Sequence, residues 1–182
     1  MSVEFAIIGP LFFGLIFSAF ESGYMYVKIA VVELAMDEVV RQIYTGNAQT
    51  DGLSRNDLIE LFCDEVDHIM ECDTSNVTIQ QQTFSGYGGN TINAAVCRNT
   101  EDTLDDDDLP AYALTGSGQI VFFRFCITTD VLVPSLKKLT FSGANFALQL
   151  PETADGRYAI TASAIFRNEP YTGIAGGGGA GS

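Results

Sequence analysis

The chain has 182 residues, with 23 acidic against 9 basic side chains and a formal net charge of −14. That excess repels nucleic acid and anionic membrane surfaces, and the aliphatic content is too high for a disordered chain. Once an N-terminal helix of some forty residues is set aside, enough chain remains for one modest domain with its own core.

Residues 2–43 read as one long helix in two halves. Residues 5–20 (FAIIGPLFFGLIFSAF) carry no charge and are closed at each end by an acid, Glu4 and Glu21. At a rise of about 1.5 Å per residue this run is about 24 Å long, just under the hydrocarbon core of a bilayer, and Tyr24 and Tyr26 extend it into the interface. The second half is amphipathic. Val32, Met36, Val39, Val40 and Ile43 share one face, and Glu33, Asp37 and Arg41 another. Pro10 removes one helical hydrogen bond, which predicts a kink or loosening over residues 6–10. Gly9, Gly14 and Gly23 are points where a neighbouring backbone can approach, and Gly46 is the expected C-cap.

A carboxylate at the mouth of an apolar helix needs a cation, protonation or access to water. For Glu4 the candidates are the α-amine of a neighbouring subunit inside a helix bundle, or exposure at the interface beside the positive helix N-terminus. Glu21 has the same two readings, with interface exposure favoured. A cleaved secretory signal needs a basic leader and a small-residue cleavage site, whereas no Lys or Arg precedes Lys28.

After a polar turn at residues 47–53, Ser54 with Asp57 forms a capping-box pattern that opens a second helix running to about Met70. Leu58, Ile59, Phe62, Val66, Ile69 and Met70 recur on one of its faces. Residues 77–84 (VTIQQQTF) predict a strand, followed by a glycine turn (SGYGG). Residues 90–118 lack a period and read as an irregular excursion, extended near residues 94–97, that holds Asp105, Asp106, Asp107 and Asp108. Those four lack the spacing and distal Glu of a calcium loop and read as a solvated acidic stretch. Residues 119–129 (QIVFFRFCITT) are the strongest strand. A short helix at 134–139 follows, then an ambiguous segment at 141–150, then a closing strand at 158–166 ended by Arg167, Asn168, Glu169 and Pro170. The fold class is therefore α+β: a long N-terminal helix and a small head with one helix packed on an antiparallel sheet. The boundaries are 1–46 for the membrane or assembly helix, 47–172 for the head and 173–182 for a flexible Gly-rich tail.

Cys63, Cys72, Cys97 and Cys126 all fall in the head, an even count that suits two disulfides in an oxidising compartment. Of three pairings we favour Cys63 with Cys72, a short local loop, and Cys97 with Cys126, tying a long loop to a strand. Zinc with His68 and reduced core thiols are the alternatives, although no Cys-x-x-Cys spacing exists. No catalytic motif, cofactor motif or metal pattern stands out. Ser85 to Gly89 is glycine-rich, but no helix with a basic residue follows, so phosphate binding is not expected there. Asp64 and Glu65 are what any acidic surface offers. The expectation is no enzyme, no cofactor and no metal.

Ser-Val-Glu-Phe-Ala at 2–6, the apolar run with Pro10, Phe-Glu-Ser-Gly at 20–23, and the amphipathic continuation to Val40 and Arg41 resemble the TadE-like minor pseudopilins of the tight-adherence (Flp, type IVc) pilus. Residues 121–126 and Ile-Phe-Arg-Asn-Glu-Pro-Tyr at 165–171 look like the second half of larger members. The resemblance implies a precursor cut by a prepilin peptidase and held in the inner membrane with its head in the periplasm. It also implies assembly with other pilin and pseudopilin helices into or under an extracellular pilus. It makes Glu4 the assembly carboxylate and Phe5 and Pro10 helix-packing positions, to which Gly14 and Glu21 are added from the residues themselves. The alternative function is a membrane-tethered extracytoplasmic binding or adhesion module whose helix is only an anchor.

Overall fold

The computed structural model describes residues 2–84, 86, 91–98, 112–130, 140–141, 144–145 and 157–170. Helix α1, Ser2–Tyr44, is unbroken and contains Pro10. A proline removes one backbone donor, and here the turns on either side keep the helix going. It ends because Gly46 takes a left-handed conformation (φ 84°), with the Thr45 and Gly46 amides donating back to the carbonyls of Arg41 and Ile43.

Where a polar turn was expected, a short helix α2, Asn47–Asp51, starts directly from Gly46 and closes at a second left-handed glycine, Gly52. Its cause is burial. Ala48 and Gln49 are both inside, so their backbone groups need partners that a helical turn supplies. Helix α3, Arg55–Val66, opens with a reciprocal cap in which the Ser54 hydroxyl accepts from the Asp57 amide and the Asp57 carboxylate accepts from the Ser54 amide at 2.7 Å. The hydrogen bonds from Ser54 hold the Asp57 carboxyl below its ordinary range. The helix ends four residues before Met70, but Ile69 and Met70 still pack on the core through a looser turn.

The sheet has three antiparallel strands in the order β1, β2, β5: β1 is Val77–Phe84, β2 is Ile120–Thr129 and β5 is Tyr158–Arg167. Strands β3 (Thr140–Phe141) and β4 (Ala144–Asn145) pair separately within the segment whose class the sequence left open. The register aligns Ile79, Phe125 and Ala162 across the main sheet, so alternate residues of all three strands share one face. That face, with Val77, Phe123, Ile127, Tyr158 and Ile160, meets Val32, Ala35, Met36, Val39 and Ile43 of α1 and Leu58, Phe62 and Val66 of α3. Phe62 stacks on Phe125 with ring centroids 4.3 Å apart. β2, central in the sheet, is buried along almost its whole length.

On the opposite face, residues 91–98 lie over β1 and β2. Cys97 is bonded to Cys126 and Cys63 to Cys72, each pair with Cα atoms 5.3 Å apart. Three consecutive glutamines explain why β1 alternates poorly. Gln80 donates to the Ala94 carbonyl and accepts from the Val96 amide, Gln81 does the same with Ala113, and Gln82 accepts from the Asn93 amide. A glutamine side chain ends in an amide, so each serves neighbouring irregular backbone as a peptide group would. The row Asp105 to Asp108, the helix expected at 134–139, most of 141–150 and the tail lie outside the described residues.

Replacing Phe62 by Ala removes the ring that joins α3 to β2, and the expected cost is about 3–5 kcal/mol in denaturant unfolding of the full chain in detergent. Tyr112, whose hydroxyl donates to the Leu53 carbonyl, is pushed up to about 12, first by burial and then by Asp57. An unfolded tyrosine ionises near 10. The folded state therefore holds the proton longer, and its advantage, full below about pH 10, is lost as pH rises through about 12. Tyr112→Phe should remove that part of the alkaline loss of stability, as read from unfolding midpoints at a series of pH values.

Candidate functional site

The chemistry-bearing feature is α1 and the place where it enters the head. Most of the described large apolar side chains over residues 5–20 face away from the protein: Phe5 is 68 % exposed and Phe20 69 %, and Ile8, Leu11, Phe12, Phe13, Leu15 and Phe17 are exposed as well. From Glu21 onward one side of the helix is covered, and Met25 is only 3 % exposed. Leaving so many apolar groups in water is unfavourable by about 25 cal/mol per Å². This half of the helix is therefore built for a lipid or protein surround.

The side chain of Glu4 lies outside the described residues. Pro10 is exposed, Gly9 lies within contact distance of the Phe5 ring, and Gly14 faces open space. Glu21 departs from the favoured reading. It is buried at 4 % exposure.

Around Glu21 the structure assembles a collar. Lys28, seven residues on and therefore on the same side of the helix, is buried and donates to the Thr129 hydroxyl at 2.8 Å and to the Asp130 carbonyl at 2.9 Å. Its ammonium sits 4.7 Å from the centre of the Tyr24 ring, and the Tyr24 hydroxyl donates to the Ile69 carbonyl at 3.0 Å. Glu21 and Asp130 attract the ammonium, while burial and Arg157 oppose its charge. Arg157 in turn forks onto the Asp130 carboxylate. One helical turn thus ties α1 to the end of β2 and to the segment after α3, just beyond the charge-free run.

The other end of α1 is tied as well. Tyr44 meets Phe166 edge to face, and its carbonyl accepts from the Glu169 amide at 3.1 Å. Arg167 donates to the Gly118 carbonyl, and the Asn168 amide nitrogen to Thr115 and Gly116. The closing run at residues 166–169 is thus a latch between β5, the loop before β2 and the last turn of α1. Glu21 and Lys28 are noticeable in the sequence at a spacing of seven. The partners of Lys28 at 129–130 are about a hundred residues away and leave no local signal.

Among the described residues no group of His, Cys, Asp and Glu is placed to hold a metal, and His68 is exposed. Among the described residues one helix, α1, is long and apolar enough to cross a membrane, and it is joined at a collar to a disulfide-tied head, an arrangement that suits a membrane-anchored protein. Residues 1–41 match the family model described as TadE-like protein. The match ends near the last turn of α1, so the likeness read at residues 165–171 lies beyond it. No curated protein and no solved structure matches the chain. The matched helix and its bare apolar half together fit a component of a Tad pilus.

Lys28→Met keeps the apolar stem but removes two bonds from a charged donor, worth about 1.5–3 kcal/mol. It should lower the stability of the head by that order in denaturant titrations and speed amide exchange at residues 128–130. Exchange within α3, once corrected for the lower overall stability, should stay as it is.

Proposed function

We propose that this protein is a minor pilin, or pseudopilin, of a tight-adherence (Flp) type IV pilus, acting in assembly, priming or tip structure. The observation that carries the reading is the bare apolar half of α1, within a helix whose residues 1–41 match TadE-like proteins. Among the described residues the head covers α1 from Glu21 onward, which leaves residues 5–20 for the inner membrane before assembly and for other pilin helices afterwards. Glu4 sets the register in that bundle by pairing with a neighbour's N-terminus, and Phe5, Pro10 and Gly14 form packing positions. Glu21 belongs to the collar that orients the head. The precursor is a substrate for a prepilin peptidase. Two disulfides support a head that folds in an oxidising compartment, the periplasm, and is then carried to the cell surface.

Glu4→Gln removes the charge and keeps the shape. It should leave membrane insertion intact and reduce the protein in the sheared surface fraction by about tenfold or more, as a lost charge pair in an apolar bundle requires. Equal amounts of both forms in the sheared fraction, or retention of both in the membrane, would contradict the reading and favour the tethered binding module.

A further inference from the structure

The turn after α3 is closed by the Cys63–Cys72 bond, whose cysteines stand nine residues apart in the sequence. Both are half-buried, Cys63 in the last turn of α3 and Cys72 beyond it. A disulfide exchanges only where an incoming thiolate can reach one of its sulfurs. The other bond offers less, because Cys126 is 1 % exposed and lies within the central strand. Cys63–Cys72 is thus the bond that a dithiol reaches from either side while the head stays folded.

This bond encloses an acceptor that holds α1. Within the loop the Asp67 amide donates to the Cys63 carbonyl at 2.8 Å, and the Ile69 and Met70 amides share the Val66 carbonyl, so the turn continues α3 only loosely. The Ile69 carbonyl accepts from the Tyr24 hydroxyl of α1 at 3.0 Å, across 45 residues of sequence. The ring of the same Tyr24 carries the Lys28 ammonium 4.7 Å from its centre. Contacts therefore run without a gap from the disulfide loop through Ile69 and Tyr24 to Lys28. A loop that loses its cross-link gains conformational freedom, and a hydrogen bond to one of its carbonyls is then made for less of the time.

We propose that Cys63–Cys72 is the site at which a dithiol–disulfide exchange partner acts on the folded head, and that the closed bond locks the collar on α1 through Ile69 and Tyr24. Opening takes a dithiol as reductant. One of its thiolates attacks a sulfur of the pair, the S–S bond breaks, and the freed cysteine takes up a proton as a mixed disulfide forms. The second thiolate displaces the other cysteine, which is protonated in turn. The dithiol leaves as a disulfide, having given two electrons to the cysteine pair. Closing is the reverse, with a protein disulfide as oxidant. In the open form the sheet and α3 keep their packing, while the collar loosens and Lys28 meets water. This strap concerns how the head seats on α1, and it stands whether or not the chain enters a pilus.

The test treats the full chain, in uncharged detergent micelles, briefly with dithiothreitol, alkylates the freed thiols, and then acylates amines with a neutral active ester; peptide mass spectrometry reads both labels. The strap predicts that Cys63 and Cys72 are alkylated before Cys97 and Cys126. Lys28 should then acylate about two- to tenfold faster, the scale of one lost hydrogen bond, while amide exchange in β2 and β5 stays as it was. Cys63→Ser combined with Cys72→Ser should behave as the reduced chain does. Tyr24→Phe keeps the ring and removes only the hydroxyl, so it should speed acylation by a similar factor in the oxidised chain and leave little further gain on reduction. Four results would each overturn the strap: Cys97–Cys126 opening first or at the same rate, Lys28 reactivity unmoved by opening, full multiplication of the gains from Tyr24→Phe and reduction, or exchange in β2 and β5 that accelerates as much as Lys28 acylation.

Discussion

One helix serves two surroundings, and the rest of the structure follows from where it passes from one to the other. Residues 5–20 of α1 carry no charge and most of their described large side chains are exposed, whereas from Glu21 the helix has an inner face sealed by the sheet and α3. The passage is held by Lys28, whose ammonium gives up water for a hydroxyl, a carbonyl and an aromatic face. Taking a charge out of water is unfavourable unless its partners are well placed. That requirement makes the collar specific, because sliding the head along α1 by one turn would strand the ammonium.

The lengths of the elements agree with this arrangement. Ten residues of β2 span about 30 Å at the rise of a strand, and the stretch of α1 from Lys28 to Tyr44 spans about 24 Å at the rise of a helix. β2 begins near the latch at Tyr44 and Phe166 and ends at Lys28, so the central strand lies along the helix it covers. The disulfides reinforce places where ordinary packing is thin. Cys63–Cys72 closes the loose turn after α3, and Cys97–Cys126 holds irregular chain against the sheet.

Elements whose causes are local could be read from the sequence: the charge-free run, the Ser54 and Asp57 cap, and the β-branched stretches that became β1, β2 and β5. What escaped depends on distant partners. Asn47–Asp51 carries no helical period, and only the burial of Ala48 and Gln49 makes it a helix. Glu21 reads as interfacial until it is seen buried near Lys28, whose own partners lie about a hundred positions away. The three glutamines of β1 look like a flaw in a strand pattern, because the backbone groups they satisfy belong to segments with no pattern of their own.

The most direct test of the central claim is the depth profile of α1. Single cysteines placed at Phe13, Phe20, Val27 and Leu34, all exposed in the structure, can be reacted with a polar maleimide in liposomes opened to both aqueous sides. The account predicts that residue 13 is shielded until detergent is added, that residue 20 labels slowly at the boundary, and that residues 27 and 34 label at once. Ready labelling at 13, or shielding that extends through 27 and 34, would contradict a passage from lipid to head at Glu21.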